Sequence, residues 1–144
     1  MNRLLLSFPR LAQKSENMKT TKIIYWTVTA IVSVMMVFSA YQYLTNPAMA
    51  QGFQHLGFSD NFRVELAIAK VIGAVVLLAP FGIRLKEWAY AGFAITFVSA
   101  FVAHTAAGDP IAMRIAPLVF LVLLVVSYIA YHKLPGKSIK IATA

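Results

Sequence analysis

"VELAIAKVIGAVVLLAPFGI", Val64 to Ile83, is the stretch on which the fold turns. It is 20 residues long, and at about 1.5 Å per residue a helix of that length matches the roughly 30 Å hydrocarbon core of a bilayer. Yet it carries Glu65 and Lys70. Read as a buried helix it would belong to a soluble protein; read as a span it gives the chain an even number of crossings. Its neighbours favour the span. Three further apolar runs, Ile23 to Tyr43, Trp88 to Ala107 and Ile115 to Tyr131, are 17 to 21 residues long. The 144 residues are 60% hydrophobic and 12% charged, with a mean hydropathy of +0.72. Soluble domains carry about 25% charged residues, so a soluble domain of this size would lack polar surface. The expected fold class is all-α, a four-transmembrane-helix bundle, with spans at about 23–43, 64–83, 88–107 and 115–131.

Charge placement predicts an orientation, because short loops rich in Lys and Arg stay on the cytoplasmic side. Arg3, Arg10, Lys14, Lys19 and Lys22 precede the first span, Arg84 and Lys86 join the second to the third, and Lys133, Lys137 and Lys140 close the chain. Only Arg63 and Arg114 fall on the other side, with Lys70 inside a span. Both termini are therefore expected in the cytoplasm and the protein in the cell (inner) membrane. Tyr25, Trp26, Trp88, Tyr90, Tyr128 and Tyr131 near the inner boundary, and Tyr41 and Tyr43 near the outer, form the matching aromatic belts. The net charge of +8 is thus explained by topology, with the lipid bilayer and its anionic headgroups as partner and no nucleic acid implied.

Between the first two spans lies "NPAMAQGFQHLGF", residues 46–58, whose Ala48-Met49-Ala50 resembles a signal-peptidase site. The preceding apolar run is too long and the site too distant for a signal peptide, and three spans follow it, so retention is expected. Pro47 suits the first helical turn and Gly57 the position after the last, while Met49, Phe53 and Leu56 share one face. This predicts a short amphipathic helix lying on the outer surface. Ser59 or Asp60 is the expected N-cap of the second span, with Glu65 in or near its first turn. Residues 1–18 read as a cytoplasmic N-terminal extension, with Met18 an alternative start and Pro9 arguing against one continuous helix. Residues 19–133 form the transmembrane domain and 134–144 a basic tail.

Ionisable groups inside spans are costly and usually mark an interior site. The candidate polar pocket is Glu65, Lys70, His104 and Asp109 in the outer half of the bundle, near Arg114, Ser39, Tyr41 and Gln42. Glu65, Ala69 and Gly73 on one helix, and Ser99, Ala103 and Ala107 on another, form small-residue stripes that allow close approach and leave room for a homo-oligomer. Phe53, His55 and Phe58 are the candidate lid. One reading makes this a site for a quinone headgroup or another lipid-soluble molecule. The other makes it structural: Lys70 snorkels to the headgroups, Asp109 caps a helix or loop, and Glu87 stabilises the start of the third helix.

With 0 cysteines, disulfides, thiol redox chemistry and thiolate metal sites are absent from the options, and a redox role would need a borrowed cofactor. Zinc lacks a ligand cluster. His55, His104 and His132 sit at levels that suit no convincing haem pair, and no serine stands in a nucleophile elbow.

"GFQHLGFSDNFRVELAIAKVIGAVVLLAP", followed by "RLKEWAYAGFAI", "AAGDPI" and "SYIAYHK", resembles the DoxX-like family of small bacterial integral membrane proteins from about Lys19 to Lys133. The resemblance implies a four-helix membrane bundle. It also implies an association with membrane oxidoreductase systems, the family name deriving from a subunit of a thiosulfate:quinone oxidoreductase. It defines no catalytic residues and requires no cofactor, a quinone being compatible with it. The expected function is a non-catalytic membrane module beside a redox partner protein; the alternative is a small-molecule binding protein or enzyme using the outer polar pocket.

Overall fold

The computed structural model describes residues 2–136, and among these every regular element is helical. The helices are α1 (Asn2–Thr45), α2 (Pro47–His55), α3 (Asp60–Leu78), α4 (Ile83–Ala106) and α5 (Ile111–Lys133). Three contain a stretch long and apolar enough to cross a membrane, Ala12–Thr45, Ile83–Ala106 and Ile111–Lys133. The 19-residue α3 has the length but carries Asp60, Arg63, Glu65 and Lys70. The long helices pack in the ring order α1, α3, α4, α5, with α2 set against α3 and the end of α1.

Unlike a soluble bundle, the helices carry apolar side chains outside as well as inside, and some polar ones within. The buried set includes Lys70, Lys86, Thr29, Ser33 and Ser127, each no more than 5% exposed. The outer surface carries Ile23, Val34, Trp88, Ile95, Val102 and Val122, all more than half exposed. Polar groups inside and branched aliphatics outside suit a hydrocarbon solvent, where lipid accepts apolar side chains and the interior must satisfy the polar ones.

Along α1 the buried positions Tyr25, Thr29, Val32, Ser33, Met36 and Ala40 recur every three or four residues, forming one stripe at helical spacing. Tyr25, Val32 and Met36 of this stripe meet Leu77 of α3, Phe93 and Phe97 of α4, and Leu124 and Tyr131 of α5 in a single apolar cluster. Three contacts fix α3 antiparallel to α1: Arg63 donates to the Tyr43 carbonyl, Lys70 Nζ lies 2.8 Å from Ser39 Oγ, and Tyr25 Oη lies 3.4 Å from the Leu77 carbonyl. Gly73 lets α4 approach α3: a Cβ there would stand 2.7 Å from the end of the Phe93 ring. Gly73→Val is expected to displace that ring and cost about 1–3 kcal/mol, the usual penalty for overpacking. A thermal or denaturant midpoint in detergent equal to the parent's would contradict this placement of the α3–α4 contact.

Several boundaries differ from the sequence reading. α1 begins at Asn2 and runs through Pro9, although a proline past the first turn has no amide to give the helix. Residues 2–18 are therefore continuous with the first apolar helix. α4 begins at Ile83, five residues before Trp88, and α3 ends at Leu78, leaving a short turn at 79–82. Hydropathy stops at the charges of Arg84, Lys86 and Glu87, whereas helix geometry does not. The N-cap of α3 is Ser59, whose hydroxyl accepts from the Phe62 amide at 3.2 Å. Asp60 takes the first turn, and Glu65 falls in the second. Side chains of Arg3 and Arg10, and the tail residues Lys137 and Lys140, lie outside the described residues.

Candidate functional site

Two helix ends build the region under α2, and both close in the same way. At the end of α2, Gly57 adopts φ +82°, the Gly57 amide donates to the Gln54 carbonyl at 3.0 Å, and the Phe58 amide donates to the Phe53 carbonyl at 2.8 Å. At the end of α4, Gly108 adopts φ +74°, its amide donates to the Thr105 carbonyl at 3.2 Å, and the Asp109 amide donates to the His104 carbonyl at 3.1 Å. These are Schellman turns, which need a residue free to take the left-handed conformation. The first folds Phe58 back over Phe53, with ring centroids 6.1 Å apart. The second folds Asp109 back over His104.

Asp109 is the hub of what results. Its Oδ2 accepts from His104 Nδ1 at 2.6 Å, and its Oδ1 accepts from His55 Nε2 at 2.9 Å. Arg114 in the first turn of α5 donates to its backbone carbonyl. The Asp109 carboxylate thus clasps α2 to α4, and its backbone carbonyl adds Arg114 of α5. Sequence reasoning assigned His55 to a lid and His104 and Asp109 to a pocket; they form one hydrogen-bonded set across the two. Phe53 packs edge-on to Tyr43 at 4.8 Å and is 8% exposed, and Phe58 stacks on Phe62 at 5.0 Å, so these two lid residues join α2 to α1 and α3.

The hydrogen bonds from His104 and then His55 hold the Asp109 carboxyl below the usual carboxylate range. A depressed folded value means that the clasp contributes stability above the ordinary carboxylate pKa of about 3.9 and loses it as pH falls through the lower, folded value. The α2 amides are therefore expected to stay protected from hydrogen exchange at neutral and mildly acidic pH and to open only at lower pH. Asp109→Asn is expected to open α2 throughout. Equal α2 protection in Asp109→Asn and the parent would remove Asp109 from the clasp.

Lys70 and Glu65 do not join this set. Lys70 is buried and turned to α1, with its Nζ on Ser39 Oγ and 3.8 Å from the centre of the Tyr43 ring. Glu65 is exposed, more than 4 Å from any Lys, Arg or His charge among the described residues. The expected convergence of Glu65, Lys70, His104 and Asp109 is thus corrected to two separate sets, with Glu65 in neither. Residues 65 and 70 are five positions apart, which turns their side chains to different sides of the helix. Neither of two surface hollows lies here: one, about 300 Å³, runs between α4 and α5 past Ala91, Ala94 and Val125. The other, about 340 Å³, lies near the start of α1.

The deepest polar cluster is at the end of the bundle opposite α2, and includes a lysine that the sequence reading placed in a cytoplasmic loop. Lys86, in the first turn of α4, is 4% exposed. It donates to the Leu77 carbonyl at 2.6 Å and the Tyr25 hydroxyl at 3.0 Å, within 6 Å of the centres of the Tyr25 and Tyr131 rings. Leu77 is in the last turn of α3, where carbonyls lose their intrahelical partners, so Lys86 caps the end of the neighbouring helix. Deeper in, the Ser127 hydroxyl bridges Thr29 at 2.6 Å and Tyr90 at 2.8 Å, tying α5 to α1 and α4. At the rim, His132 pairs with Glu87 at 2.6 Å; α4 starts at Ile83 with no acid in its first turn, so Glu87 lies past the helix-start position expected of it.

The ordered motifs on which the resemblance rests all lie on this scaffold: the second on α4, the third at the clasp, the last across Ser127 to Lys133. The model of the DoxX-like family matches residues 27–127, well over half of the chain. The chain belongs to the DoxX-like family. No curated protein and no solved structure matches it. Family membership and the apolar exterior together make this DoxX-like chain a membrane protein. The matched segment takes in Thr29, Lys70, Lys86, Tyr90, Asp109 and Ser127, while Tyr25 lies just before it.

Proposed function

We propose that this DoxX-like protein is a non-catalytic four-span module of the inner membrane, with both termini in the cytoplasm, that supports a redox or quinone-linked system. The observation that carries the non-catalytic part is the use of the buried polar groups. Lys70 bonds α1, Lys86 bonds α1 and α3, and Ser127 bonds α1 and α4. Each joins helices that lipid-like side chains alone would hold less specifically.

The fourth span rests on α3 running antiparallel to α1 between the Tyr43–Arg63 and Tyr25–Leu77 contacts, beside the apolar length of α1. Lys70, its most costly residue, already has a hydroxyl and an aromatic ring within reach. The orientation is supported by the excess of Lys and Arg at the α1 start, the first turn of α4 and the chain end, even with Lys86 withdrawn into the bundle. The redox association has the family likeness as its support.

The test uses host membranes lacking the chain, restored with the parent or with His104→Ala. Quinone reduction by the endogenous dehydrogenases is expected to fall without the chain and to return with either form. Unchanged quinone reduction without the chain would overturn the redox association. Restoration by the parent but not by His104→Ala would favour a chemical role for that histidine.

A further inference from the structure

We infer that the notch between the start of α1 and the end of α5 is a binding site for the phosphate-bearing headgroup of an anionic phospholipid. It rests on the proposed crossing of α1 and α5, and not on that of α3. α1 continues well past the point where α5 ends at Lys133, so two helices packed side by side become one protruding helix with a step beside it. The step leaves an open hollow of about 340 Å³ lined by Gln13, Lys14, Asn17, Met18, Thr21 and Lys133. The five residues from α1 recur at i, i+1, i+4, i+5 and i+8, which places them on one helical face.

The lining chemistry is one-sided. It offers two ammonium groups and two carboxamides and no carboxylate. The Thr21 hydroxyl is held in place by donating to the Asn17 carbonyl at 2.8 Å. Glu16, the acid of this stretch, pairs at 3.8 Å with Lys19, which is not part of the lining. Among the described residues neither Lys14 nor Lys133 has a carboxylate within 4 Å. One lysine comes from each helix, so the lining presents positive charge from both α1 and α5 to an anion.

Depth identifies which anion. The apolar stretch of α1 begins at Ile23, with the half-exposed Trp26 one turn further in, and α5 ends in Tyr128 and Tyr131. Thr21 and Lys133 therefore sit at the edge of the hydrocarbon, where lipid phosphates lie, and Lys14 stands about 10 Å beyond at 1.5 Å per residue. Basic hollows at this level between membrane helices suit anionic headgroups. Met18 provides the apolar contact for the glycerol end of the lipid.

The test reconstitutes the full chain in nanodiscs of phosphatidylcholine with and without phosphatidylglycerol, and measures lipid retained on the protein by native mass spectrometry after transfer to detergent. Phosphatidylglycerol is expected to be enriched over phosphatidylcholine. Lys14→Ala or Lys133→Ala should each lower that enrichment roughly fivefold, and the pair about twenty-five-fold, from the usual worth of a basic side chain near a charged bilayer surface. Lys22→Ala, outside the lining, should leave it unchanged, and circular dichroism confirms that each variant is folded. Equal retention of both lipids, or an equal loss in Lys22→Ala, overturns the site. Displacement of phosphatidylglycerol by inorganic phosphate at the same lysines would assign the notch to a free anion and overturn the lipid reading. Release of the parent chain from membranes by alkaline carbonate would instead count against the crossing on which the site rests.

Discussion

Replacing Lys86 with alanine is expected to lower stability by about 1–3 kcal/mol, read as a lower unfolding midpoint in detergent. The variant strips the Leu77 carbonyl and the Tyr25 hydroxyl of a shared donor in a place that water does not reach. The Tyr25 hydroxyl keeps its 3.4 Å bond to the Leu77 carbonyl, so the loss is that of one shared donor, about 1–3 kcal/mol at a buried site. Lys86→Met separates packing from bonding, because methionine fills much of the same volume and cannot donate. It is expected to fall nearly as far as Lys86→Ala. A parent-like midpoint for Lys86→Met would show that the aliphatic stem, and not the ammonium, holds the α3–α4 turn against α1.

The second large effect is at Ser127, which is fully buried and bonded to both Thr29 and Tyr90. Interhelical hydrogen bonds in membrane proteins average only about 0.6 kcal/mol, with a maximum near 1.7. Losing two should therefore cost about 1–2 kcal/mol in Ser127→Ala. The network makes a sharper claim about additivity. Thr29→Val removes one of the same bonds, so Thr29→Val combined with Ser127→Ala should fall short of the sum of the two singles. Strict additivity would mean that the two hydroxyls do not depend on one another.

Most of the fold was legible in the sequence because a bilayer imposes length and composition, and both can be read without coordinates. α2 was legible for a different reason: Pro47, Gly57 and the spacing of Met49, Phe53 and Leu56 are local signals, and its N-cap Asn46 accepts from the Ala48 amide at 3.0 Å as local chemistry dictates. The boundaries of α1 and α4 were less legible, since hydropathy marks where side chains stop liking lipid and says nothing about where backbone hydrogen bonds stop.

The polar site was read only in part, and the reason is geometric. Depth along a span comes from sequence position, so His55, His104 and Asp109 could be placed at one level. Facing requires the packing of other helices, so Lys70 and Glu65 were grouped with them although Lys70 turns to Ser39 and Glu65 turns outward. The cluster around Lys86 was missed because a lysine beside Arg84 in a short connection looks like a topogenic charge. A signal was present: Tyr25, Thr29 and Ser33 on α1, Lys86 and Tyr90 on α4, and Ser127 and Tyr131 on α5 are polar positions spaced four apart along their helices. Stripes of that kind within apolar helices point to an interior face.

The central claim is that α3 crosses the bilayer, and site-directed labelling tests it most directly because the chain has 0 cysteines of its own. Gln51→Cys on α2 and Phe81→Cys in the α3–α4 turn are both at exposed positions. With a membrane-impermeant maleimide applied to intact cells and to everted vesicles, Gln51→Cys is expected to label only from outside and Phe81→Cys only from the cytoplasmic side. Labelling of both from the same side would mean that α3 returns without crossing and would contradict the four-span bundle.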